Sequence, residues 1–325
     1  MKIAVLGAGA WGTALATHAS IRHEVMLWAR DADLAEDIRL QRRNRRYLPD
    51  VELGRSVAAT HRLDEAIDGA GLLVIATSVA GLGPVMQAIA PSGHGAVTWL
   101  CKGLTADTGE LPHAVVAAIA PDWHAGCLSG PSFAQEVAAG LPVALTAAAS
   151  NDELALLMVA AFHHGAMRVY RSADLRGVEI AGALKNVMAI ATGISDGLGL
   201  GHNARAALLT RGLAEMTRFG LARGAQAETF MGLSGIGDLV LTCTGDLSRN
   251  RTVGLRLAAG GALDDILRSL GHVAEGVACC RAAVAAAHEV GVDMPVSEAV
   301  LAVIEGRLSP GAAVASLLAR EPKAE

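Results

Sequence analysis

An α/β chain in two parts, a doubly wound parallel sheet followed by an all-helical domain, is predicted by three features of the sequence. Short apolar runs alternate with helical ones up to about residue 172, and a glycine-rich turn separates the first of each. From residue 173 the strand signals fade into long Ala- and Leu-rich segments of helical period. At 325 residues the chain also exceeds the length, about 250–300, at which one hydrophobic core stops growing. Two domains, 1–172 and 173–325, are therefore expected.

The chain opens on KIAVL, a single lysine before an apolar run that passes at once into glycines. With no signal-peptide cleavage pattern, it reads as a first strand. EVMLWA, LLVIAT, AVTWLC, AGCLSG, VALTAA and MRVYR are the further strand candidates, apolar as expected of strands covered on both faces. Gly69 to Cys101 contains no Asp, Glu, Lys or Arg, which invites a membrane reading. Gly81, Gly83, Pro84, Pro91, Gly93 and Gly95 break it into pieces too short to span a bilayer, and Pro84 is expected to start a helix. Beyond RSADLRG, segments such as NARAALLTRGLAEMTRFGLARG keep helical periodicity, and AREPKAE is expected to fray.

Composition narrows the function. Hydrophobic residues make up 52% of the chain and aromatics only 3%, so the core is built of Ala, Val, Leu and Ile, with helices in close contact. A net charge of -5 without a basic stripe argues against nucleic acid as a partner. Cys101, Cys127, Cys243, Cys279 and Cys280 lack C-x-x-C spacing, which fits reduced thiols in a cytoplasmic protein better than a disulfide framework or a zinc site. No metal is expected.

GAGAWG sets Gly7, Gly9 and Gly12 in G-x-G-x-x-G spacing, after a strand and at the start of a helix. That is the Rossmann-type context for a dinucleotide: a tight turn, close backbone approach to a pyrophosphate, close helix packing, and free N–H groups facing the anion. The second strand ends at Arg30, where an acid would favour a free ribose 2′-hydroxyl and a cation a 2′-phosphate. NADP is therefore expected over NAD, against a competing reading in which Asp31 contacts the ribose. Arg42, Arg43, Arg45 and Arg46 of QRRNRRYLPD could reinforce a phosphate site or simply form a solvated face.

In the second half, GALKNVMAIATGI carries one charge, Lys185, the only charged side chain between Glu179 and Asp196. A snorkelling lysine is the common case. A nicotinamide enzyme acting on a carbonyl, however, needs a proton donor beside the developing alkoxide and a clamp for the rest of the substrate. Lys185 can supply the donor. MGLSGIGDLVLTCTGDLSRNRTVG adds Asp238, Thr242 and the cluster Ser248, Arg249, Asn250, Arg251, the donors a phosphate monoester needs, although a surface turn and helix cap would also account for SRNR. Lys102 in CKGL and Ser132 in LSGPSFAQEV follow apolar strands, at the strand ends where open parallel sheets bind ligands; Ser129 or Ser132 could equally cap a helix.

Taken together, GAGAWGTALA, CKGL, SGPSFAQEV, GALKNVMAIATGISDGLGLGHNARAALLTRGLAEM, TFMGLSGIGDLVLTCTGDLSRNR and VAEGV resemble the NAD(P)-dependent glycerol-3-phosphate dehydrogenases, in the family's order and at about its spacing, over nearly the whole chain. The resemblance implies interconversion of dihydroxyacetone phosphate and sn-glycerol 3-phosphate, in bacteria mainly to supply the glycerol backbone of phospholipids. It implies Lys185 as proton donor or acceptor with Asp238 and Thr242 beside it, and Lys102 holding substrate from the other domain. Ser248, Arg249 and Asn250 would fix substrate and phosphate, with Gly130 and Ser132 in contact. For the cofactor it points to the glycine loop with Ala10 and Trp11, and to Arg30, Lys102, Ala134, Arg249, Val273 and Glu275. Ala10 stands where the family often has Ser, so a hydroxyl contact is missing there.

The runner-up is a hydroxyacid or sugar-acid enzyme of the 6-phosphogluconate dehydrogenase type, which carries K-x-x-x-N where this chain has Asn186 adjacent and Ala189. A non-catalytic NADP-binding sensor gives no reason for Lys185, Asp238 and Arg249 to coexist. The Ala-rich helical half could present a homodimer face.

Overall fold

The computed structural model describes residues 1–270 and 274–319. Two compact units divide the chain: Met1–Lys102 with Pro112–Val178, and Gly103–Leu111 with Glu179–Glu325.

The first unit runs β1 (Lys2–Leu6), α1 (Ala10–Ala19), β2 (Glu24–Trp28), α2 (Ala32–Gln41), β3 (Arg43–Asn44), β4 (Leu48–Glu52), β5 (Val57–Thr60), α3 (Leu63–Ile67), β6 (Leu72–Ile75), α4 (Val79–Ile89), β7 (Ala96–Trp99), α5 (Pro112–Ile119), β8 (His124–Ser129), α6 (Ala134–Ala138), β9 (Val143–Ala149), α7 (Asp152–Phe162) and β10 (Met167–Ser172). Among the described residues an 8-stranded sheet has the order β10-β9-β8-β7-β6-β1-β2-β5, and β3 pairs with β4 in a separate ribbon. Successive side chains of a strand point to opposite faces. Thus Ile3 and Val5 of β1 join the buried cluster that includes Leu15 of α1 and Met158 of α7, while Ala4 and Leu6 join the one that includes Met86 of α4 and Val116 of α5. Helices on both faces explain the unbroken apolar runs.

All seven sequence-read strands are present, and two details differ. β9 lies antiparallel to β8. The β8–β9 connection holds only the five-residue α6, too short to act as a crossover helix laid along the sheet. Pro84 lies inside α4, whose N-cap is Ser78, rather than starting it. Its missing N–H would have bonded the carbonyl four residues back, a loss the helix absorbs here without ending.

Chain direction places the ligand face. From β1 the chain moves outward through β2 to β5, then returns on the other side of β1 as β6. The carboxyl ends of β1 and β6 therefore flank a topological switch point, where open α/β sheets hold ligands.

The second unit takes up α8 (Leu175–Gly197) from Glu179, then α9 (Gly201–Ala222), α10 (Ala227–Phe230), α11 (Asp238–Thr244), α12 (Arg249–Ala258), α13 (Leu263–Leu270), α14 (Glu275–Glu289), α15 (Pro295–Ile304) and α16 (Pro310–Leu318). Leu104 and Leu111 belong to its core, together with Leu184, Val187 and Ile190 of α8 and Cys279, Ala283 and Ala287 of α14. Among the described helices, α8 alone is long and apolar enough to cross a membrane, and its apolar window is wholly buried in protein. The Ala- and Gly-rich composition has its reason here. A Cβ on Gly254 of α12 would come within 2.7 Å of Ile194 N and 2.8 Å of Gly193 Cα, so α8 and α12 meet backbone to backbone. Farther along, buried Glu215 of α9 accepts from Val296 N (2.6 Å), Ser297 N (3.2 Å) and Ser297 Oγ (3.0 Å), capping α15.

Candidate active site

In the first unit the three glycines of the loop are glycine for different reasons. Gly7 takes φ +132°, and a Cβ there would stand 2.7 Å from the Ala76 carbonyl at the end of β6. Gly12 is in van der Waals contact with the turn itself: a Cβ would fall on Gly7 O and lie 2.8 Å from Ala76 Cβ. Gly9 has neither constraint. Its φ of -74° and ψ of 178° suit any residue, and nothing lies within 4 Å of where its Cβ would be. The space in front of Gly9, at the N-terminus of α1, is a cradle that a side chain would fill and a pyrophosphate fits. Ala10 and Trp11 begin α1 beside it, and Ala134 begins α6.

Past β2, Asp31 is engaged at both carboxylate oxygens. One carboxylate oxygen caps α2, accepting from Asp33 N (3.0 Å) and Leu34 N (3.2 Å), and the other meets Arg46 Nη1 at 3.2 Å. Arg30 is exposed and makes no hydrogen bond among the described residues. Of the arginine run, Arg42 is turned into the structure, donating to Val57 O (2.6 Å) and Leu53 O (3.3 Å).

Lys102, Gly130 and Ser132 come together. Lys102 Nζ and Ser132 Oγ each donate to Gly130 O at 3.1 Å. Gly130 has φ +126°, a conformation that L side chains rarely adopt.

In the second unit α8 carries Lys185 into the interior, 7% exposed. A kinked, π-type turn, Leu233–Gly237, leads into the start of α11; Gly235 is non-helical there and presses on the Phe230 backbone, leaving no room for a side chain. Asp238 emerges from this turn with 0% exposure. Lys185 Nζ donates to Asp238 Oδ1 and, at 2.9 Å, to Thr242 Oγ1. The Thr242 hydroxyl gives its proton to Asp238 O at 2.6 Å, one turn back, so its lone pairs face the ammonium. Buried ammonium and carboxylate are thus paired and hydrogen-bonded, the condition for keeping two charges in a core. Next in the helix, burial pushes the Cys243 thiol up to about 12, so it stays neutral beside the lysine.

Asn250 extends the cluster. Gly276 N at the start of α14 donates to Asn250 Oδ1 (3.1 Å), Asn250 Nδ2 to Asn186 Oδ1 (3.0 Å), and Asn186 Nδ2 to Gly182 O (3.3 Å). Sequence reasoning passed over Asn186 as a site residue, although its place directly after Lys185 was a usable signal. Ser248 caps α12 by accepting from Arg251 N at 3.3 Å. The two arginines of SRNR divide roles: Arg251 is held by Asp196 (2.9 Å) and Asp246 (3.0 Å), while Arg249 has no ion pair at contact distance among the described residues. Burial lowers the Arg249 pKa and the charge of nearby Glu275 opposes that shift. Val273 lies outside the described residues.

Comparison with known proteins finds matches over both parts of the chain. Residues 2–155 match the family model for the NAD-dependent glycerol-3-phosphate dehydrogenase N-terminus, and residues 174–315 that for its C-terminus. A glycerol-3-phosphate dehydrogenase [NAD(P)+] of Ralstonia nicotianae is 56% identical over 100% of this chain and 99% of its own. One of Methylibium petroleiphilum is likewise 56% identical, covering 100% and 98%. The crystal structure of glycerol-3-phosphate dehydrogenase from Coxiella burnetii superposes with a TM-score of 0.95 at 38% identity, covering 98% of this chain and 99% of that one.

Proposed function

The chain belongs to the NAD-dependent glycerol-3-phosphate dehydrogenase family, and from that premise we propose that Lys185 is the general acid and base of its reaction. The protein is an NAD(P)-dependent oxidoreductase that interconverts dihydroxyacetone phosphate and sn-glycerol 3-phosphate. The observation that carries the proposal is the buried Lys185–Asp238–Thr242 cluster. When bound, NAD(P)H supplies the hydride.

The residues supply the rest. In the reducing direction the Lys185 ammonium donates a hydrogen bond to the ketone oxygen, stabilises negative charge as it develops there, and transfers its proton. In the oxidising direction neutral Lys185 takes the hydroxyl proton. Asp238 and Thr242 fix the direction of the amine and, being rigidly placed, need no rearrangement during the reaction. Arg249, with Asn250 and Ser248 beside it, is proposed to hold the phosphate monoester. Lys102 and Ser132, on the Gly130 carbonyl, are proposed as further substrate contacts, and the glycine loop with Ala10, Trp11, Ala134 and Arg30 as the cofactor site.

The phosphate assignment is tested by Arg249→Ala. A lost charge-assisted hydrogen bond of roughly 2 kcal/mol corresponds to about a 30-fold rise in KM for dihydroxyacetone phosphate. The KM for unphosphorylated dihydroxyacetone should stay unchanged; an equal rise for both would remove Arg249 from the phosphate site.

NADP is the proposed preferred cofactor, because Asp31 is already occupied by its helix and Arg46 while Arg30 is not. Arg30→Asp is expected to lower kcat/KM for NADPH at least tenfold and to leave that for NADH within twofold; an unchanged ratio would refute the 2′-phosphate role. Buried thiols outside any disulfide support a cytoplasmic location. A homodimer through the Ala-rich helical half is proposed; sedimentation would reveal it as twice the mass of the chain, and a monomeric mass would exclude it.

A further inference from the structure

Asn44 is buried to 0% exposure between arginines that face solvent. Both N–H donors of its amide are used, and its oxygen accepts once. Nδ2 donates to Ala8 O and to Thr13 Oγ1, both at 2.8 Å, and Oδ1 accepts from Tyr47 N at 3.1 Å. Ala8 and Thr13 bracket Gly9 to Gly12, the part of the loop whose N–H groups head α1. The bond to Ala8 has a directional effect. The peptide joining Ala8 to Gly9 is trans, so its C=O and N–H point in opposite directions. Holding Ala8 O inward turns the Gly9 N–H outward, into the open cradle. That N–H donates to no group of the chain among the described residues.

We propose that Asn44 is a positioning residue for dinucleotide binding: it locks the Ala8 carbonyl away from the anion and aims the Gly9 N–H at the cofactor pyrophosphate. A loop without this lock could rotate the Ala8–Gly9 peptide and present a carbonyl oxygen to a dianionic ligand, which repels it. The same amide holds Tyr47 N and so fixes the segment carrying Arg46, whose guanidinium meets Asp31. The Asn44 amide therefore joins the glycine loop to the segment beyond β2. The inference rests on the reading of the glycine loop as the cofactor site.

The test compares Asn44→Asp, Thr13→Val and Gly9→Val with the wild type, measuring NADPH Kd by fluorescence and KM and kcat with dihydroxyacetone phosphate. Asn44→Asp keeps the size and the acceptor for Tyr47 N but faces Ala8 O with a carboxylate. Thr13→Val removes one of the two acceptors without changing shape, and serves if Asn44→Asp fails to fold. The expected result is a rise in NADPH Kd of tenfold or more for Asn44→Asp and a few-fold for Thr13→Val, with kcat at saturating NADPH and KM for the triose phosphate within twofold of wild type. Unchanged Kd in both variants, beside a Gly9→Val protein that no longer binds NADPH, overturns the role of Asn44 alone. A parallel loss of NADPH affinity, substrate affinity and kcat also overturns it, since a merely structural residue would act that way. Undiminished NADPH binding by Gly9→Val would instead overturn the loop reading, and the inference with it.

Discussion

Lys185→Met is expected to lower kcat for dihydroxyacetone phosphate by about 10²–10⁴-fold, the range for a positioned general acid. Because Asp238 is fully buried and pairs with Lys185 through a direct hydrogen bond, the single variant also leaves a carboxylate without its ammonium. Removing one partner of a buried pair costs about 3–5 kcal/mol of stability. The double variant Lys185→Met/Asp238→Asn removes both charges and should recover much of the melting temperature while remaining as inactive as the single variant. Thermal unfolding beside steady-state kinetics separates the two effects. Return of turnover along with stability would show that Lys185 supports the fold and not the chemistry.

Gly9→Val should abolish measurable cofactor binding in a protein that folds normally. Apart from Gly9 and its chain neighbours, no atom lies within 4 Å of a Cβ at Gly9, and its backbone angles suit any residue, so the fold has no objection to the side chain. A ligand at the head of α1 does. No NADPH binding should be detected by fluorescence, with the melting temperature of the ligand-free protein unchanged. Gly12→Ala makes the contrast, since its Cβ would fall on Gly7 O and stand 2.8 Å from Ala76 Cβ. That variant should lose stability first, and binding only as a consequence. Equal destabilisation by both substitutions would contradict the assignment of Gly9 to the ligand.

Much of this was legible in the residues, for physical reasons that also mark the limits. KIAVL and LLVIAT read as strands because a sheet covered on both faces demands uninterrupted apolar runs. The β3–β4 ribbon went unread: β3 is two residues long and set among arginines, so hydrophobic periodicity had nothing to act on. β5, VAAT, was too short and too small-sided to stand out. The antiparallel β9 has the same apolar pattern as its parallel neighbours, since burial of both faces does not record direction. In the site, Lys185 announced itself as a lone charge in an apolar helix, and Asp238 by its glycine-rich approach; Thr242 entered only as following it, and the place of both beside Lys185 came from the family resemblance. That Asp31 is bonded to residues 33, 34 and 46 was not legible, because only the folded chain brings them to it. Asn44 was hidden for a related reason: its neighbours Arg43 and Arg45 are solvated, and nothing in QRRNRRYLPD sets apart a polar side chain that is buried.

The most direct test of the account is the loss of NADPH absorbance when the purified protein meets dihydroxyacetone phosphate, run beside unphosphorylated dihydroxyacetone and beside Lys185→Met. Rapid oxidation that requires the phosphate and disappears with Lys185 is the predicted result. A protein that binds NADPH yet leaves its absorbance unchanged with dihydroxyacetone phosphate, or one whose turnover survives the loss of Lys185, would contradict it.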